Sequence, residues 1–340
     1  MVADFTFFVG TVGRGLSISR DGGKTFRRPD PLIADTRVYE VTSDPTNSDV
    51  VWAGTDTGIF KSDDKGQTFQ HMGLDGQWIW RIAVDPVDPD TIFAGIKTLT
   101  RDHPGPWIYR SRDGGRSWDA TSCNFDPVFP APREQQLTEL NRLTGLAVDP
   151  TNHNNIWACV EADGVRRSLD GGDTWTNLNA NLPGDQSFGY IDFHDMAVCA
   201  NPSKAVLAQR NNEILLSTDE GETWEETGAG VGNWTLPFVR CIGTANEGKT
   251  VFIGSGDTAT GVVGGVRRSK DRCASWEDLD LPNQTNSPVY GIGTHPGAPG
   301  VVVAGTRYGE VYVSKDDGDW WVKVKTEFSE LRRGIAVVPN

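Results

Sequence analysis

Arg81, Arg240 and Arg333 stand at matching places in three segments of the chain that otherwise look alike, and Glu40, Asp195 with His194, and Tyr290 stand at those places in three others. Three guanidinium groups brought together could clamp a carboxylate or a phosphate, because each matches such groups bidentately. Glu40 and Asp195 offer a carboxylate pair for general acid/base or nucleophilic work, as in glycoside hydrolysis. His194 and the pair Tyr39 and Tyr290 could instead move protons. An arginine beside a substrate carboxylate, with His or Tyr nearby, would suit β-elimination on a uronate. Tyr39, Trp80, Arg307 and Glu161 complete the expected substrate-binding set around the catalytic candidates. His194, Asp195 and Glu40 could also hold a metal, but nothing in their spacing demands one. No metal and no cofactor is assigned.

These places are defined by a strand that recurs along the chain. A short apolar run ends in Asp-Pro or a relative of it, as in Val41-Thr-Ser-Asp-Pro45, Ile82-Ala-Val-Asp-Pro86, Leu146-Ala-Val-Asp-Pro150 and Ile292-Gly-Thr-His-Pro296. Aligned on those ends, the residues that begin the runs form two columns. The first reads Tyr39, Trp80, Thr144, His194, Val239, Tyr290, Arg333, and the second Glu40, Arg81, Gly145, Asp195, Arg240, Gly291, Gly334. Each run leads through a turn to a second one such as Val50-Val-Trp-Ala-Gly54 or Thr91-Ile-Phe-Ala-Gly95, and a hairpin then leads to a third. The hairpin column varies as well: Val12, Asp56, Lys97, Glu161, Asn211, Asp257, Arg307. In a four-stranded antiparallel unit the start of the first strand and the hairpin between the second and third lie at one end, so these columns ring one mouth. Monotonous apolar strands with a varied, ionisable entrance are what a ligand site on a regular scaffold requires.

The scaffold itself is written in a phrase that occurs seven times: SRDGGKTF from Ser19, SDDKGQTF from Ser62, SRDGGRSW from Ser111, SLDGGDTW from Ser168, STDEGETW from Ser217, SKDRCASW from Ser269 and SKDDGDWW from Ser314. Its Asp residues, Asp21, Asp64, Asp113, Asp170, Asp219, Asp271 and Asp316, lie 43, 49, 57, 49, 52 and 45 residues apart. A period of that length marks a propeller, solenoid or array. Asp followed by Gly is turn chemistry, and the closing aromatic anchors the turn in apolar packing. The phrase resembles the Asp-box, or bacterial neuraminidase repeat, of sialidases, other glycosidases, sortilin-type receptors and a photosystem II assembly factor. The resemblance covers nearly the whole chain and implies a β-propeller with the boxes on the outer side of each blade, so the seven Asp residues are expected to be structural.

An all-β fold is therefore expected: one domain over residues 1–340, a seven-bladed propeller of four-stranded antiparallel blades. Phe5-Thr-Phe-Phe-Val-Gly10 reads as a second strand with no first strand before it, and Gly334-Ile-Ala-Val-Val-Pro339 reads as a first strand with nothing after it. Pairing the two would close the ring and remove its free edges. Three connections are long: Lys97 to Trp107, Thr121 to Arg142 with Phe125, Phe129 and a short helix at Glu134 to Leu140, and Asp257 to Gly265.

Composition narrows the partners. The net charge is −14, with 46 acidic against 32 basic residues, which argues against nucleic acid and anionic membrane. The five Cys residues are an odd number without close pairs, and Cys159, Cys199 and Cys241 fall in strands where a thiol packs as a small hydrophobe. The start leads directly into a strand, and a cytoplasmic protein is expected. The resemblance implies a carbohydrate-type substrate. Sialidases use three Arg with Tyr, Glu and Asp, and those residue types are present here. Sialidases, however, have six blades and an early Arg-Ile-Pro, whereas Arg14 sits in Gly13-Arg14-Gly15, so no role is carried over by position. The reading is an enzyme acting on an anionic, carbohydrate-type substrate in the axial pocket, by hydrolysis or uronate-type elimination. The alternative is a non-catalytic binding or assembly propeller.

Overall fold

Runs of Val, Ile, Phe and Trp closed by Gly form strands here because branched and aromatic side chains suit a pleated surface packed on both faces. Val51–Thr55 and Ile156–Val160 are buried along their whole length. In the computed structural model, which describes residues 5–29, 31–97, 106–127, 142–185, 187–200, 204–210, 212–229 and 235–340, the chain is all-β apart from a few single helical turns. Five antiparallel sheets of four sequential strands begin with the inner strands Trp78–Val84, Leu143–Val148, Phe193–Cys199, Phe238–Ala245 and Val289–Gly293. A sixth, seven-stranded sheet has the order Gly15–Ser19, Phe5–Thr11, Leu331–Pro339, Val38–Ser43, Val51–Thr55, Gly58–Ser62, Gln70–His71. Its two halves meet through one parallel bridge, Arg333 to Glu40. Leu331–Pro339 pairs antiparallel with Phe5–Thr11, from Phe5 opposite Pro339 to Thr11 opposite Leu331. No helix among the described residues is long and apolar enough to cross a membrane.

The core is divided in the same way. Among the described residues, six apolar clusters each join two adjacent sheets, and a seventh, with Phe8, Leu16, Val38 and Val51, joins the two halves of the seven-stranded sheet. Trp52, for example, packs with Ile79 and Ile92, and Phe252 with Val302 and Tyr312. The inner strands touch in succession from Val38–Ser43 round to Leu331–Pro339, which in turn touches Val38–Ser43. All five Cys are buried and free. Burial pushes the Cys199 and Cys241 thiols up to about 11, so they stay protonated and unreactive at neutral pH.

The repeated Asp residues lie in the outer turns, where the third strand of a sheet turns toward the fourth. Asp170 accepts from Ser168 Oγ at 2.8 Å, from Thr174 N at 2.8 Å and from Thr174 Oγ1 at 2.6 Å. These bonds hold the Asp170 carboxyl at about 2. The corresponding hydroxyls of Thr25, Thr68, Ser117, Thr223 and Ser275 bond Asp21, Asp64, Asp113, Asp219 and Asp271 at 2.6 to 2.7 Å. The seventh turn departs from this: Trp320 takes the hydroxyl's place, and only its backbone N reaches Asp316, at 2.9 Å. The turns also tie sheet to sheet. Arg110, Arg167 and Arg268 each precede a turn's Ser and reach the next turn, bonding the carbonyls of Gly171, Glu220 and Asp317.

Of the long connections, the central residues of the Lys97–Trp107 hairpin, Phe129 and the helix expected at Glu134–Leu140 lie outside the described residues, as does Asn211.

Candidate functional site

Every inner strand begins with an irregularity, and this decides which side chains face where. Val38 pairs with Thr55 and Glu40 with Gly54, which leaves Tyr39 as an extra residue. The same step leaves out Trp80, Thr144, His194, Arg240 and Tyr290. In the last inner strand the gap is wider and holds Arg332 to Gly334. A bulge turns one residue out of the two-residue alternation. The true columns are therefore Tyr39, Trp80, Thr144, His194, Arg240, Tyr290 and Glu40, Arg81, Gly145, Asp195, Cys241, Gly291. Arg240 belongs with the first column and Cys241 takes its place in the second, because the inner strand Phe238–Ala245 runs on to Ala245 beyond the point used to align it.

The second column forms an ionic layer across the centre. Arg81 donates from Nε to Thr144 O at 2.5 Å, and its Nη1 and Nη2 lie 3.3 Å from Glu40 Oε1 and 3.4 Å from Asp195 Oδ1. Arg333 pairs with Asp195 Oδ2 and donates to the carbonyls of His194 and Arg240 at 2.7 and 2.6 Å. Glu40 Oε2 accepts from Ile82 N of the next sheet at 3.0 Å, and Asp195 Oδ2 from Ile242 N at 2.7 Å. Burial raises the Glu40 carboxyl despite Arg81 and Arg333. This layer bounds a cavity of about 270 Å³ that runs along the inner strands past Leu146, Met196 and Ile292 to Ser43, Thr244 and Thr294.

The first column and the hairpins form a separate layer at the mouth. Tyr39 stacks between Trp80, at 4.5 Å, and Trp78, at 5.8 Å. Arg142 lies over Trp80, and Arg240, Arg307 and Arg332 lie over Tyr290 at 5.1 to 5.8 Å. Glu161 Oε1 pairs with Arg142 at 2.8 Å and Arg240 at 3.1 Å. His194 Nε2 lies 3.7 Å from Glu161 Oε1 and 3.5 Å from Asp192 Oδ2. Glu161 Oε2 and Asp192 Oδ1 are buried without a hydrogen-bond partner among the described residues. Burial alone would raise Glu161, but Arg142 and Arg240 beside it outweigh this and hold its carboxyl below the ordinary range. The Tyr290 hydroxyl and Arg307 Nη1 both donate to Ala259 O in the 257–265 hairpin, at 2.7 and 2.8 Å. Arg307 and Arg332 share Glu330.

The expected set is thus divided. Glu40, Arg81, Asp195 and Arg333 meet in the inner layer, while His194, Tyr290, Arg240, Tyr39, Trp80, Arg307 and Glu161 meet at the mouth. The three arginines do not converge on one empty point: Arg81 and Arg333 share Asp195, and Arg240 holds Glu161. Asp192, Arg142, Arg332 and Trp78 were not anticipated. Arg142 and Asp192 each stand one residue before an inner strand, outside both columns, and the only signal for them was charge at a strand entrance. Ligand atoms of Glu161, Asp192 and His194 lie within 4.8 Å of one another, a donor set that could hold a cation. The two guanidinium groups on Glu161 already neutralise much of its charge.

Comparison with known proteins bears first on the fold. A family model described as sortilin, neurotensin receptor 3, matches residues 14–155, less than half the chain. The xyloglucanase Xgh74A of Acetivibrio thermocellus is 25% identical over 271 residues, covering 69% of this chain and 30% of its own. The oligoxyloglucan-reducing end-specific xyloglucanase of Emericella nidulans is 26% identical over 271 residues, covering 65% and 32%. The chain spans about a third of the length of these curated relatives. The GH74 enzyme of Niastella koreensis superposes with a TM-score of 0.66 at 18% identity, over 93% of this chain and 46% of that one. YCF48 of Cyanidioschyzon merolae superposes with a TM-score of 0.56 at 14% identity, over 88% of both chains. These likenesses place the fold among the β-propellers.

Proposed function

We propose that the chain is a single seven-bladed β-propeller, closed where Leu331–Pro339 pairs with Phe5–Thr11, and that it is a glycoside hydrolase acting on an anionic carbohydrate at the mouth. Seven repeated turns, seven apolar clusters (six between sheets and one between the halves of the seven-stranded sheet) and the unbroken succession of inner strands support the blade count and the closure. The xyloglucanase relatives support a carbohydrate substrate. The observation that carries the chemistry is the carboxylate pair Glu161 and Asp192, each with an unbonded oxygen, facing each other across His194 Nε2. Their ligand atoms lie within 4.8 Å of one another, so the two carboxyl groups stand side by side, as hydrolysis with retention requires, rather than apart with room for a water between them. In this reading Glu161, held ionised by Arg142 and Arg240, attacks or stabilises the anomeric carbon. Asp192 protonates the leaving oxygen as the glycosidic bond breaks, then, as the carboxylate, takes a proton from the water that displaces the sugar from Glu161, with His194 beside both carboxylates. A substrate carboxylate competes for Arg240, Arg307 and Arg332, and Tyr39, Trp78 and Trp80 stack on sugar rings. Entry requires the 257–265 hairpin to release Tyr290 and Arg307.

A screen of uronate-containing and neutral glycosides tests this. Release of reducing ends without the ultraviolet absorbance of an unsaturated uronate is the expected result, and that absorbance would assign elimination instead. A second reading, a binding or assembly propeller using the same face, is favoured by one observation: YCF48 and this chain cover 88% of each other. Binding at the mouth without turnover of any glycoside would select it.

A further inference from the structure

We propose that the groove beside Trp320, on the outer rim and remote from the mouth, is a second carbohydrate-binding site that takes an anionic polysaccharide. The inference rests on the reading of the protein as acting on an anionic glycan. Trp320 occupies the position where the other six outer turns carry a Ser or Thr hydroxyl bonded to the turn's Asp. The exchange gives up a charged hydrogen bond at Asp316 and leaves an indole 72% exposed. Neither change serves the fold, and a residue that breaks a local rule without a compensating contact marks a functional position.

The surroundings indicate the ligand. Val322, 58% exposed, extends the apolar surface beside the indole. The groove holds about 500 Å³, the size of a pocket for a small ligand or a few sugar units rather than of a protein interface. Lys24, Lys315 and Lys325 line it and are exposed. Such a cluster on a chain of net charge −14 selects an anionic ligand. Asp21 and Asp316 line the same groove; each is bonded by donors of its own turn, Asp316 by Ser314 Oγ and Trp320 N, and the lysines outnumber them. A flat indole stacks on the C–H face of a sugar while ammonium groups meet its carboxylates. A polymer held there stays tethered while the mouth acts on another stretch of the same chain, and two linked contacts exceed either alone.

The test is affinity electrophoresis in gels containing polygalacturonate, with neutral xyloglucan as the control polymer. The wild type is expected to be retarded by the acidic polymer and not by the neutral one. Trp320→Ser is expected to raise Tm, because it restores the missing hydroxyl, and to weaken retardation at least tenfold. The combined Lys24→Ala, Lys315→Ala and Lys325→Ala variant is expected to lose retardation as well. Turnover of a short uronate oligosaccharide should be unchanged in both. Unaltered retardation in Trp320→Ser, equal retardation by xyloglucan, or binding of an acidic peptide but not of the polymer would overturn the site. Asp192→Asn separates the two readings: turnover lost with retardation intact supports both. Trp320-dependent retardation in a protein that turns over no glycoside would remove only the enzyme reading.

Discussion

The inner ionic layer and the mouth layer are built from the same residue types and differ in what is left unbonded. In the inner layer Asp195 accepts from Arg81, Arg333, Met196 N and Ile242 N, and Glu40 from Arg81 and Ile82 N. Both carboxylates reach across to the backbone of the following sheet, at N–H groups lying just beyond its bulge. At the mouth, Glu161 and Asp192 each retain a buried oxygen with no partner. A carboxylate with a partner on each oxygen holds strands together, whereas one with an unpartnered oxygen can take a proton or attack a carbon. Residue type alone therefore does not separate framework from chemistry; the count of remaining hydrogen-bond capacity does.

Five experiments would break or sharpen this contrast. The largest effect is expected from deleting Leu331 to Asn340, which removes Arg333 and the strand paired with Phe5–Thr11. The product should show no cooperative thermal transition; one that melts as the full chain does would separate the inner layer from ring integrity. Asp195→Ala should come next, since removing one partner of a buried ion network leaves Arg81 and Arg333 uncompensated and costs about 3–5 kcal/mol, read by denaturant unfolding. At the mouth, Asp192→Asn should lower turnover by roughly 10²–10⁴, the usual contribution of a positioned acid, with little change in Tm. Were it to unfold the protein instead, the mouth would be framework too. Glu161→Gln should lose turnover and some stability together, because Arg142 and Arg240 lose their counter-charge.

The smallest effect is a difference in pH slope. The Glu161 carboxyl is held below its ordinary value in the folded protein. Its contribution is therefore complete above that ordinary value and is lost as pH falls through the lower folded one. Glu40 is raised by burial, so its contribution is complete below the ordinary value and is lost as pH rises through the higher folded one. Replacing Glu161 by Gln should flatten the acid side of the Tm–pH curve, and replacing Glu40 by Gln should flatten its rise-side loss. Identical curves for the two variants would show that the layers are electrostatically alike.

Much of this was legible in the sequence. The seven-fold phrase located the outer turns, and the Asp-Pro run ends located the inner strands. Asp44, Asp85 and Asp149 at those ends each accept two backbone N–H bonds at 2.7 to 3.3 Å, which explains why Asp recurs there. The ionisable strand entrances of the sequence do lie together, in two layers at one end of the inner strands. The split into two layers was not legible, because a period-two alternation carries no mark of a one-residue bulge. Arg240 was accordingly grouped with Arg81, although its guanidinium pairs in the layer above. Asp192 and Arg142 lay before the strands proper, where no repeat pattern fixes a register.

The bulge shared by the inner strands has a consequence for how such a molecule can change. Below it, each strand is locked to its neighbour by side chains that have one possible setting, and a slip of one residue would turn the core inside out. The residue in the bulge is exempt from that bookkeeping. Tyr, Trp, Thr, His, Arg and Tyr all occupy it here, with identical pairing on either side. Under the proposed function, a substitution at these positions changes the face that meets the ligand while the strand pairing on either side can stay as it is, Thr144 excepted, whose hydroxyl bonds Cys159 O and Phe193 O. The face is thus open to variation one sheet at a time, and a new ligand can be acquired without a new fold.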